Sequence, residues 1–260
     1  MLLYCGKSDV GMRRKINQDV FGAMPIWDGD GLLLIVCDGM GGHKAGDTAS
    51  KTAKEAFCSV VTSRPCTAED PIMRSDNIKN TLVAAVKEAN ESVYRLAQSS
   101  PEFTGMGTTL VAAIVSRGML YAVNIGDSRL YLITRHEAKQ ITRDHSFVQF
   151  LIQTGQITPE EAKNNPRKNV ITRAIGVASK TEVDFFNINL RKWGNGYILL
   201  CTDGLTNYLD NKVLFELLFQ SREKVRPTPE EELEKKAETL ISFANKAGGS
   251  DNITVLLAKF

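Results

Sequence analysis

Leu32-Leu33-Leu34-Ile35-Val36-Cys37-Asp38-Gly39 is the stretch whose reading decides the fold. A short, continuous run of Leu, Ile and Val bounded by a turn signal suits a buried strand. The run ends on a carboxylate. Gly39 behind it lets the backbone approach a partner closely and leaves its carbonyl free to act as a ligand. Similar runs recur at Leu110 to Val115, Leu120 to Ile125, Leu130 to Ile133, Tyr197 to Cys201 and Ile253 to Ala258. Met119 to Ile125 and Arg129 to Thr134, split by Gly126-Asp127-Ser128, predict a hairpin.

Working outward, three segments read as helices. Thr48 to Val61 repeats apolar residues at helical spacing behind Asp47, an N-cap residue type. Ser75 to Leu96 continues the pattern through Leu82, Val86, Ala89 and Val93, and Glu230 to Ala247 stops at Gly248-Gly249. A weaker helical zone lies between His145 and Lys163, with Pro159 opening its second piece. The long helices do not alternate with strands as βαβ crossovers. The expectation is therefore an α+β fold, with a mostly antiparallel sheet system covered by helices. No linker or repeat divides the chain, so residues 1–260 read as one domain, with 144–173 as a polar insertion.

The net charge is only +2, from 32 basic and 30 acidic residues, which argues against a nucleic-acid or membrane-surface binder. Five cysteines form no CxxC pair, and their odd number fits a reducing compartment. The first ten residues lack a signal-peptide layout, and no apolar stretch approaches the roughly 20 residues of a bilayer span. A cytoplasmic protein is expected. No long heptad pattern predicts a coiled-coil dimer, so a monomer is the expected state.

The aspartates carry the chemistry. Asp38, Asp203 and Asp127 follow apolar runs, while Asp251 precedes Ile253 and Asp19 precedes Val20-Phe21. In antiparallel sheets the end of one strand lies beside the beginning of the next, so these acids can gather along one edge. Grouped carboxylates repel, and they need cations or raised pKa values to coexist. Hard cations such as Mg²⁺ or Mn²⁺ take oxygen ligands, and the chain offers carboxylates but only three histidines.

Arg14-Lys15-Ile16-Asn17-Gln18-Asp19, Val36-Cys37-Asp38-Gly39-Met40-Gly41-Gly42-His43 and Gly105-Met106-Gly107-Thr108-Thr109 stand in that order along the chain. Gly126-Asp127-Ser128-Arg129, Cys201-Thr202-Asp203-Gly204-Leu205 and Ser250-Asp251-Asn252-Ile253-Thr254 follow. Together they resemble the metal-dependent protein phosphatases of type 2C, most closely the compact bacterial members. The resemblance runs from about Ser8 to the C-terminus. It implies a four-layer αββα fold, a central antiparallel β-sandwich flanked by helices on both faces. It implies Ser/Thr protein phosphatase activity with phosphorylated proteins as substrates and a cognate Ser/Thr kinase as partner. It also implies two Mn²⁺ or Mg²⁺ ions bridged by Asp38, with the Gly39 carbonyl, Asp203 and Asp251 as further ligands. Asp19 would hold a water on the metals, Asp127 with Asp203 would bind a weaker third ion, and Arg14 would bind phosphate. Residues 144–173 would be the flap beside the site.

The residues support that chemistry independently. Two divalent ions about 3.5–4 Å apart acidify a water and clamp in-line displacement at phosphorus, so no protein nucleophile is needed. Arg14 offers a planar fork to phosphate oxygens. Met40 stands where relatives from higher organisms often carry a histidine, and His43 is not its equivalent. Two rival readings are a catalytically silent binding module of the same fold and a phosphohydrolase for a small-molecule phosphoester. Cys58 to Arg64 has the Cys-x5-Arg spacing of cysteine phosphatases but lacks their glycine loop. Asp28-Gly29-Asp30 reads as a surface turn, and Gly6-Lys7-Ser8 is only half a P-loop.

Overall fold

The computed structural model describes residues 2–42, 45–219 and 227–260. In chain order its strands are β1 (Tyr4–Asp9), β2 (Asp19–Ile26), β3 (Gly31–Met40), β4 (Gly107–Thr108), β5 (Leu110–Ser116) and β6 (Met119–Ile125). They continue with β7 (Arg129–Thr134), β8 (Ala138–Gln140), β9 (Asp184–Asn189), β10 (Gly196–Cys201) and β11 (Ile253–Lys259). The helices are α1 (Ala45–Ser63), α2 (Pro71–Ala97), α3 (Phe147–Gln153), α4 (Pro159–Lys163), α5 (Asp203–Thr206), α6 (Asn211–Phe219) and α7 (Pro229–Lys246).

One sheet runs β1-β11-β10-β7-β8 and the other β2-β3-β5-β6-β9, with β4 on the end of β3. Every ladder is antiparallel. Strand β3 shows why its sequence is apolar throughout. Leu33, Ile35 and Cys37 pack against α1 and α2, while Leu32, Leu34 and Val36 fill the space between the sheets. In β10, Tyr197, Leu199 and Cys201 meet α6 and α7, while Ile198 and Leu200 face inward. Burial on both faces removes the usual alternation, and each such side chain contributes about 2 kcal/mol of hydrophobic stabilisation. Three apolar layers therefore separate four structural layers, as the resemblance implied.

The expected hairpin is not formed. β6 and β7 belong to different sheets, so the chain crosses the sandwich at Gly126-Asp127-Ser128. Gly126 has φ +105°, and a Cβ there would lie 2.6 Å from Thr109 Cγ2. Its N–H donates to His145 Nδ1 at 3.1 Å and its carbonyl accepts from the His145 N–H at 2.9 Å. Bonding with His145 thus replaces a hairpin ladder. Two helix starts also differ from expectation. α1 begins at Ala45, leaving Asp47 in its first turn and paired with Lys51 at 2.9 Å. α2 begins at Pro71 because Asp70 caps it, accepting from the Ile72 and Met73 N–H groups. α7 opens with a Thr228/Glu231 capping box and ends before Gly248.

Candidate metal centre

Register brings the aspartates together. Asp19 is paired directly with Asp38 across β2 and β3. Cys201, two residues before Asp203, is paired with both Val255, four residues after Asp251, and Arg129, two residues after Asp127. All five aspartates therefore lie at one end of the sandwich. Asp38 is pinned there by its backbone: its N–H donates to Thr109 Oγ1 at 2.9 Å, and its carbonyl accepts from Thr109 N and Thr108 Oγ1. Gly39 is required next to it, since a Cβ would collide with the Gly46 carbonyl and reach within 2.7 Å of the Gln18 carbonyl.

Electrostatics follow from the crowding. Burial lifts the Asp38 carboxyl well above its ordinary range, and the charges of Asp19, Asp203, Asp127 and Asp251 add to the shift. Burial pushes Asp19 up to about 7, against hydrogen bonds from Thr254 and Thr202 that favour the anion. Asp127 is likewise pushed up to about 7, by burial first and the Asp203 charge second. Burial raises Asp203 too, helped by Asp251, while its hydrogen bonds to Asn207 and Asp38 work the other way. Crowded carboxylates with oxygen donors only are what a hard divalent cation takes.

Asp19 adds a second indication. Its Oδ2 accepts from Thr202 Oγ1 at 2.9 Å and Thr254 Oγ1 at 2.7 Å, while Oδ1 is buried without a partner. An unsatisfied buried oxygen calls for a ligand or water. The donor set therefore fits a divalent metal. Among the described residues, however, no three acidic, histidine or cysteine side chains stand close enough to hold an ion as they are. Several of these carboxylates turn to protein donors, Asp251 to Arg14 at 2.7 Å and Asp203 to Asn207 at 3.2 Å.

Arg14 is an exposed residue on the loop between β1 and β2. The charges of Asp38 and Asp203 also act on its guanidinium, which the Asp251 hydrogen bond holds above its ordinary value. That loop is pinned by Asn252, which receives the Gln18 N–H and donates to the Val10 and Ile16 carbonyls. Met40 closes β3 beside Gly107, and His43 lies outside the described residues. Among the look-alikes, Cys58 sits inside α1, and Gly6-Lys7-Ser8 is part of β1, with Lys7 paired to Glu234 and Glu238.

Sequence reasoning quoted Thr109, Thr202, Asn252 and Thr254 within motifs but gave them no role. It also missed His145 as a support. Besides holding Gly126, His145 is buried, and its Nε2 faces Asp184 Oδ2 at 3.3 Å. Because Gly126 N–H can only donate, Nδ1 is the unprotonated nitrogen. No short-range pattern in sequence could have disclosed this link across 19 residues.

Residues 144–173 form a lobe containing α3 and α4, tied at its base by the Ser146–Ile171 bridge. Between this lobe and residues 203–210 lies a cleft of about 420 Å³ that opens onto Asp127 and Asp203. Among the described residues no helix is long and apolar enough to cross a membrane.

The protein phosphatase 2C family model matches residues 11–239. The serine/threonine phosphatase stp of Listeria monocytogenes is 39% identical over 253 residues, covering 97% of this chain and 94% of that protein. Among solved structures, serine/threonine phosphatase Stp1 from Staphylococcus aureus superposes with TM-score 0.87 at 35% identity, covering 100% of this chain and 95% of that one. The catalytic domain of the serine threonine protein phosphatase PstP, in complex with two manganese ions, gives TM-score 0.79 at 34% identity, covering 99% and 97%. A family model spanning most of the sequence, relatives matched almost end to end and an acidic edge suited to divalent ions agree, and the chain belongs to the protein phosphatase 2C family.

Proposed function

We propose that this chain is a metal-dependent Ser/Thr protein phosphatase whose catalytic domain spans residues 1–260, with residues 144–173 as a flap. The observation that carries this reading is the Asp19–Asp38 pairing at the edge that also holds Asp127, Asp203 and Asp251, with Arg14 bonded into it. Asp38, the Gly39 carbonyl, Asp203 and Asp251 would hold two Mn²⁺ or Mg²⁺ ions, and Asp127 with Asp203 a weaker third. When bound, the ions supply an acidified water and a charge clamp for in-line displacement at phosphorus.

The chain's own groups do the rest. Arg14 swings its planar fork from Asp251 to the phosphate oxygens, binding them in two places at once. Asp19, anchored through Oδ2, has Oδ1 left to accept a hydrogen bond from the attacking water and orient it. The Cys201 thiol, two residues before Asp203, does not compete as nucleophile, since burial pushes it up to about 12. Phosphorylated proteins are the substrates, a Ser/Thr kinase is the opposing partner, and the enzyme acts as a cytoplasmic monomer.

The test is hydrolysis of a phosphothreonine peptide by chelator-treated protein, with and without Mn²⁺, beside Asp251→Asn. Activity that appears with Mn²⁺ and is lost in the variant is expected. Well-folded protein inactive with both Mn²⁺ and Mg²⁺ would refute the reading.

A further inference from the structure

The cleft between the 144–173 lobe and residues 203–210 continues away from the carboxylate edge. Val148, Ile152 and Leu209 give it an apolar lining, and Lys163 and Lys168 stand on the lobe's side. Its other acidic groups are already engaged. Asp144 is held by Arg129 through contacts of 2.6–3.0 Å, and Asp210 accepts the Val213 N–H at the start of α6. Neither lysine forms an ion pair among the described residues, whereas Arg173, at the end of the lobe, pairs with Glu182 and Asp184. Lys163 ends α4, where a cation complements the helix dipole. Lys168 lies on the turn beyond and has no such role, yet it lines the same cleft.

We propose that this cleft is the subsite for the residues flanking the phosphorylated one, and that Lys163 and Lys168 select acidic side chains there. The inference rests on the protein-phosphatase reading above. A peptide whose phosphoresidue lies at the carboxylate edge enters the cleft past Asp127 and Asp203, and its neighbouring side chains come to the two lysines. Apolar atoms of the peptide backbone and side chains cover Val148, Ile152 and Leu209. Rim charges of this kind act on encounter and selection more than on the chemical step, and salt screens them.

Three phosphothreonine peptides differing only in Glu, Gln or Lys at the flanking positions provide the test, with kcat/KM measured under Mn²⁺. The wild-type enzyme should prefer the Glu peptide over the Lys peptide by roughly tenfold at low salt, from two charge pairs. In about 0.5 M salt the ratio should shrink towards one. Lys163→Glu combined with Lys168→Glu should invert the preference, and the Gln pair should flatten it. Because each ratio is taken within one enzyme, partial loss of folded protein does not alter it. A ratio unchanged between wild type and both variants overturns the proposal, as does a wild-type preference for the Lys peptide. Turnover of p-nitrophenyl phosphate without hydrolysis of any phosphopeptide would overturn the phosphatase reading beneath it, and the proposal with it.

Discussion

Two aspartates bracket the same strand and live in opposite electrostatic worlds. Asp30 sits just before β3 at one end of the sandwich, and Asp38 lies near its other end. Burial acts to raise both. At Asp30 the hydrogen bonds from Arg117 and Arg74 outweigh it, and the carboxyl is held below its ordinary value. Arg74 Nη2 meets Asp30 Oδ2 at 2.5 Å and Ser116 Oγ at 2.7 Å, and Arg117 also bridges to Glu69. At Asp38 the surrounding charges are four more aspartates, and the carboxyl is driven up. The saturated end is built for stability. The under-compensated end carries repulsion that a bound cation would relieve, which is why the metal site is proposed there.

The largest effect should come from Asp38→Asn. Phosphopeptide turnover is expected to fall by about a thousandfold or more, while the melting temperature of chelator-treated protein rises because one repelling charge is gone. A variant melting below wild type would erase the contrast. Asp30→Ala should do the reverse. It strands the buried Arg74 and lowers stability by about 3 kcal/mol in denaturant unfolding, with kcat per folded molecule unchanged. Loss of turnover without loss of stability would show that the far end is not merely structural.

A smaller effect sharpens the comparison within the acidic edge. Asp127→Ala should reduce turnover roughly tenfold while elemental analysis still finds two bound ions, and loss of both would refute its assignment to a weaker third site. His145→Leu should act in the same direction by freeing Gly126. His145→Asn, which keeps an acceptor for the Gly126 N–H, should restore most of the loss.

The smallest effect is a pH dependence. Asp19 and Asp127 are both pushed up to about 7 in the folded chain, above roughly 3.9 when unfolded. The folded state then holds more protons between those values, so stability falls as pH rises through that window. Chelator-treated protein should melt higher at pH 5 than at pH 8, by a few degrees. Added Mn²⁺ should remove most of the difference at pH 8. A flat profile for the chelated protein would mean the carboxylates are already compensated, as Asp30 is.

The central strands were legible because burial on both faces leaves an unbroken apolar signature. β1, β8 and β9 escaped notice because they are edge strands, half-buried and mixed in composition, such as Asp184-Phe-Phe-Asn-Ile-Asn189. Helix α6, short and close to a loop, was missed as well. The aspartates proposed as ligands could be picked out from their positions at strand ends. Their supporting groups could not, because Thr202 and Thr254 meet Asp19 across 183 and 235 residues.

By itself the sequence determined the two-faced apolar strands, the helix faces and the placing of carboxylates where strands begin and end. Those are local properties, written in periodicity and turn residues. Only the tertiary structure decided that β6 and β7 part into different sheets, that Asp30 is neutralised, and that Asp38 is left among like charges. Each of those outcomes depends on which distant groups arrive beside a residue, and burial there makes their charges count in a way no neighbour along the chain reveals.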